Sequence, residues 1–152
     1  MNLLEIVFKS QEGERVSFSP AQAFAAIGVA SIAADGYLSE QKRQRIVELL
    51  LAQSLFADYS EPRLRKMLED LFNLLSNRGL EPLVAIARES LPSEYQESAF
   101  KLAIDLALVD GELSAQEKEF VRHLWKIMDI PVEIAAEILE AIASEHNVNI
   151  TP

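Results

Sequence analysis

Cysteine is absent from this 152-residue chain, which excludes disulfides, thiolate metal sites and a cysteine nucleophile. Five glycines and six prolines are too few for a disordered or proline-rich protein. No apolar run approaches a membrane span: the densest, residues 23–34, falls well short of the ~20 residues a helix needs to cross a bilayer. The Met-Asn-Leu-Leu-Glu opening has neither a basic n-region nor a cleavable apolar core, so a soluble, cytoplasmic protein with no membrane insertion is expected. Bases are outnumbered 14 to 24 by acids, for a net charge of −10. That balance argues against nucleic acid, because phosphate binding needs a basic footprint. Strand signals are missing beyond the first 18 residues, where Ile6–Phe8 and Val16–Phe18 could pair as a hairpin or form an arm or short helix.

What remains is apolar and helical. Half of the composition is hydrophobic, enough for one domain with a sizeable core. Two stretches follow one plan. Residues 21–52 and residues 100–128 each give an almost wholly apolar helix, a turn carrying Asp-Gly, and a second helix opened by serine. Asp35-Gly36 and Asp110-Gly111 lie 75 residues apart, and in that register Leu38 matches Leu113, Ser39 matches Ser114, and Ile46 matches Val121. An internal repeat of helix–turn–helix units is the strongest organising signal in the chain. The reading is an all-α, single-domain bundle of about seven helices, with the two repeated units around central apolar helices. An N-terminal arm covers 1–18, the helical domain 19–147 and a tail 148–152.

Local signals place the helix ends. Ser19-Pro20 opens the first helix, and a helix apolar on every side must be buried on every side. Ser60-Glu61-Pro62 starts a helix running to about Asn77, closed by Arg78-Gly79, and a short one follows over 80–89. Ser93-Glu94-Tyr95-Gln96 reads as a capping box for the second central helix, and Ser114-Ala115-Gln116-Glu117 as a box for the helix after the second turn. In the first unit Lys42 stands where Glu117 stands in the second, so that box is open. Pro131 opens the last helix. Phe120 and Trp125 read as core residues.

Glycine, leucine and serine at both turns need only a structural explanation. The aspartates need another, because a carboxylate at a helix C-terminus faces the negative pole of the macrodipole. Asp35 and Asp110 could bond amides of the next helix or bind a cation. An EF-hand is rejected: its first and third ligand positions would be Leu106 and Leu108. An oxygen-ligand site from several helices survives, made of Asp110, Glu112 and Glu117, with Asp105 and the Glu133, Glu137 and Glu140 stripe as further contributors. A solvated acidic face is the simpler reading of the same spacing. The acids concentrate from residue 93 onward, with twelve Asp/Glu against four Lys/Arg, whereas the first 92 residues carry twelve and ten.

Ala34-Asp35-Gly36, Ser39-Glu40-Gln41-Lys42, their second copy Val109-Asp110-Gly111 with Glu117-Lys118, and Met128-Asp129-Ile130-Pro131 together resemble the TerB family of tellurite-resistance proteins, over roughly residues 20–146. The resemblance implies an all-α domain with an internal repeat, opposite charge on its two sides, and an acidic cluster that binds divalent metal ions. On that pattern Asp35, Glu40, Asp110 and Glu117 are the metal candidates. Gln41 and Ser114-Ala115-Gln116 stand where the family often carries acids.

No phosphate loop, nucleophile elbow or Glu-x-x-His pair occurs, and His123 with Glu119 reads as a surface i, i+4 pair. A non-enzymatic module is therefore expected. One form is a metal-binding stress-response domain with ligands among Asp35, Glu40, Asp110, Glu112 and Glu117. The other is an interaction domain whose acidic face docks a protein with a basic surface, without functional metal.

Overall fold

The computed structural model describes residues 17–36 and 38–147. The expected hairpin or arm and the tail fall almost wholly outside them. Seven α-helices follow in order: α1 (Pro20–Ala33), α2 (Glu40–Leu51), α3 (Glu61–Arg78), α4 (Leu80–Ser90), α5 (Gln96–Ala107), α6 (Ala115–Ile127) and α7 (Val132–Glu145). Short 3-10 turns, Ser54–Phe56 and Ser93–Tyr95, precede α3 and α5. Among the described residues there is no strand, and no helix is long and apolar enough to cross a membrane.

Helix α1 is the axis of the bundle. Every residue from Ala23 to Ile32 is buried, as a sequence apolar on every side but for Ser31 requires. It packs most extensively against α5, then α4 and α3. Two features let α1 and α5 approach closely. A side chain at Gly28 would place its Cβ 2.9 Å from Ile46 Cδ1 and 3.0 Å from Leu102 Cδ2. Ser31 Oγ donates to the Ala103 carbonyl at 2.6 Å, which satisfies a hydroxyl that would otherwise be buried at a cost. The repeat thus places its two apolar helices side by side at the centre and their polar partners, α2 and α6, outside them.

The helix ends follow the local chemistry, with one correction. Ser19 forms a full capping box with Gln22, and Ser114 one with Glu117. Ser39 accepts from the Lys42 amide without a reciprocal bond, so the first unit's box is open as expected. The box expected at Ser93–Gln96 does not form. That stretch is a 3-10 turn behind Pro92, with the Tyr95 amide on the Pro92 carbonyl at 3.0 Å, and α5 begins at Gln96 without a side-chain cap. Proline fixes the entry φ and the chain tightens into the helix instead of being capped. Gly36 and Gly111 hold left-handed conformations, φ 77° and 94°, where a side chain would be strained.

Candidate functional site: an ion cluster between the repeat units

The serine N-caps orient the first turns of α2 and α6, and the two turns face each other across the junction of the repeats. Their third residues, Lys42 and Glu117, are the matched positions of the two copies and point at one another. Lys42 is fully buried and Glu117 nearly so. The Lys42 ammonium lies 3.0 Å from Asp35 Oδ2, 3.3 Å from Glu117 Oε2 and 3.7 Å from Asp110 Oδ2. Three carboxylates thus surround a group with three N–H donors and no acceptor. Burial by itself would push the Lys42 pKa down; the hydrogen bond to Asp35 and the charges of Glu117 and Asp35 outweigh it and hold it above 10.5. The lysine stays charged because opposite charge surrounds it.

This answers the question posed by the aspartates. Each sits just past the C-terminus of an apolar helix, and each faces a cation supplied by the first turn of α2. Of the five residues singled out as ligand candidates, the structure brings Asp35, Asp110 and Glu117 together. Glu40 and Glu112 are exposed and lie outside these contacts. Among the described residues no group of three or more His, Asp or Glu side chains is arranged to hold a metal ion. The donor set does not fit an external ion, because Nζ takes the point at which its oxygens converge.

A second ion cluster shares α2 with the first and adds α5 and the end of α7. Asp105 of α5, 7% exposed, accepts a two-pronged bond from Arg45 of α2, Nε to Oδ1 and Nη2 to Oδ2, both at 3.0 Å. The His146 Nε2 lies 3.1 Å from Asp105 Oδ1. The hydrogen bonds that Arg45 donates to Asp105, with the Asp105 and Glu48 charges, raise the Arg45 pKa against the opposing effect of burial. Asp105 therefore belongs to this cluster and not to the one around Lys42. Glu133, Glu137 and Glu140 are exposed on α7 and take no part in either. Two of the three bases clustered at 42–45 thus turn inward onto acids of the second half. Sequence reasoning counted those charges without pairing them. The signal was present in the register, which sets Lys42 against Glu117.

The histidine reading is corrected. Glu119 does not pair with His123; its Oε1 accepts from Arg122 Nη1 at 2.8 Å, because the longer guanidinium reaches back one turn at i, i+3.

Outside the ion clusters, a groove of about 310 Å³ opens between α6 and α7 over Phe100 and Ile104 of α5. Val121 and Trp125 form one wall; Val132, Ala136 and Leu139 form the other. Trp125 is half-buried rather than a full core residue, and its Nε1 donates to the Ile130 carbonyl at 2.6 Å, pinning the α6–α7 turn. Phe120, on the inner face of α6, is core as expected.

No curated protein and no solved structure matches this chain. The family model described as tellurite resistance protein TerB matches residues 21–139, a span that contains both Asp-Gly turns, Lys42, Glu117 and the helices that carry them. The chain therefore belongs to the TerB family.

Proposed function

We propose that this chain is a non-enzymatic, cytoplasmic TerB-type module of a stress response that docks a helical segment of a partner protein in the groove between α6 and α7. The groove carries this reading. Its lining is almost entirely apolar, and Val132, at its mouth, is 57% exposed, an arrangement that buries apolar area only when something enters it.

Charge narrows the occupant. Lys118 and Arg122 line the α6 side. On α7, Glu133, Glu137 and Glu140 are exposed; Glu133 and Glu140 fall three and four residues from Ala136, on the strip beside the groove wall, with Glu137 further round the helix. An amphipathic helix fits if its apolar stripe has acids along the edge facing α6 and bases along the edge facing α7. This extends the acidic-face reading: the acids of α7 take the partner's bases, while the apolar floor supplies the affinity. A non-enzymatic role is supported by the histidines, since His123 is exposed on α6 and His146 is engaged with Asp105.

The test uses Trp125, the sole tryptophan. A synthetic helical peptide with leucines at i, i+3, i+4 and i+7, glutamates on one edge and lysines on the other should change its fluorescence saturably. Ala136→Glu should abolish the change. Exchanging the peptide's charged edges should weaken binding about tenfold at low salt, with the difference shrinking as salt rises. Failure to bind would overturn this reading, and concentration-dependent dimerisation abolished by Ala136→Glu would replace it with an interface between copies of the chain.

A further inference from the structure

We infer that Lys42 is a built-in cation that takes the place of an external metal ion, so that the junction between the repeats is independent of divalent ions, and that Lys42→Glu would turn this junction into a divalent-cation site. The expectation of a metal centre rests on Asp35, Glu40, Asp110, Glu112 and Glu117, the acids at and just after the Asp-Gly turns, of which the most deeply buried holds the third position of the helix that follows. In the second copy this position is Glu117. In the first it is lysine, and the lysine is wholly buried, with its ammonium between Asp35, Asp110 and Glu117.

The charge balance of the buried part supports the assignment. Glu117, whose side chain is 4% exposed, is the one carboxylate fully removed from water, and it faces one ammonium. Asp35 and Asp110 lie nearer the rim, with side chains 16% and 39% exposed, so water screens their charge. The desolvated pair is neutral without help. A divalent ion entering this point would first have to displace a buried ammonium with three carboxylate neighbours, and would then leave that ammonium unpaired inside the protein. Ser39 holds the lysine in place by capping the turn that carries it.

The prevailing geometry also says what the lysine prevents. With Lys42→Glu, four carboxyl groups from two matched turns would converge where one ammonium now sits. Hard divalent cations take oxygen ligands of this kind, and without an ion the four would repel one another.

Thermal unfolding in EDTA and in ionic-strength-matched Ca²⁺, Mg²⁺, Mn²⁺ or Zn²⁺ tests the inference on the full chain, on Lys42→Glu and on Lys42→Met. The wild-type midpoint should be the same in all five conditions. Lys42→Glu should melt about 10 °C lower in EDTA and regain part of that loss with one of the ions, as expected for a ligand that binds only the folded state. Lys42→Met, which keeps three carboxylates and removes the ammonium, should show a smaller ion-dependent gain. An ion-specific rise in the wild-type midpoint would overturn the inference whether or not Lys42→Glu folds. So would two variants that fold and respond to none of the ions.

Discussion

Lys42 and Glu117 occupy the same place in the two copies of the repeat, 75 positions apart, and their side chains meet at 3.3 Å. A twofold-like arrangement of helix–turn–helix units brings equivalent residues face to face, as it does in isologous dimers. Two like charges would repel there. The chain places opposite charges instead, and Asp35 and Asp110, themselves matched, flank them both. The first-turn helices α2 and α6 are joined at their N-termini by this cluster.

Lys42→Met should cost about 3 kcal/mol in urea unfolding, since it leaves a buried carboxylate without its cation. Glu117→Gln should cost less, about 1–2 kcal/mol, because glutamine preserves the capping box with Ser114 and the ammonium keeps Asp35 and Asp110. The double variant Lys42→Met/Glu117→Gln should recover part of the single-variant loss, because it leaves no buried charge alone. Strict additivity in that cycle would mean the two side chains do not interact.

The alkaline limb of the stability profile should report Lys42. Its pKa is raised above 10.5 in the folded protein, so its contribution is fully present below about 10.5 and falls as pH rises through the folded value. Stability measured between pH 9 and 12 should decline more steeply for wild type than for Lys42→Met. Parallel curves would assign the alkaline transition to other groups.

At the second cluster, Asp105→Asn should destabilise the fold by about 1.5–3 kcal/mol, since both prongs of Arg45 lose a charged acceptor. Arg45→Met should cost less, because a third of the Arg45 side chain is exposed and water screens the pair. His146→Ala should leave the midpoint nearly unchanged while increasing amide exchange in the last turn of α7, because the imidazole contact with Asp105 ties that turn to α5. Equal exchange in both proteins would show that the imidazole does not restrain the helix end.

The glycines should separate two causes of strain. Gly28→Ala gains about 1 kcal/mol of helix propensity but forces Ile46 and Leu102 aside, an overpacking worth about 1–3 kcal/mol, for an expected net loss of about 1 kcal/mol. Gly36→Ala meets no atom within 4 Å yet has φ 77°, and should lose about 1–2 kcal/mol through backbone strain alone. A Gly36→Asn variant should lose less than Gly36→Ala, whereas Gly28→Asn should be worse than Gly28→Ala. Denaturant midpoints for the four variants give the comparison.

The all-α bundle, most of its helix boundaries, the burial of α1 and the duplication were legible in the sequence because they depend on local, periodic signals; the helix read over 39–56 instead ends at Leu51, ahead of the 3-10 turn Ser54–Phe56. Ser19, Ser39, Ser60 and Ser114 cap their helices from positions adjacent in the chain, and residues 23–32 are apolar, Ser31 apart, whichever way the helix turns. The repeat also sets Asp35 and Asp110 at matched turns and Glu117 at the third position of α6, which is as far as spacing went toward the cluster. The pairing of Lys42 with Glu117, of Arg45 with Asp105 and of His146 with Asp105 was decided only in three dimensions. These partners lie 75, 60 and 41 residues apart, and an ion pair depends on a few ångströms of separation that composition and spacing do not encode. The same holds for Trp125 and Val132. Trp125 looks like a core residue at helical spacing, and only the packing of both α6 and α7 against α5 leaves the two side chains lining an open groove.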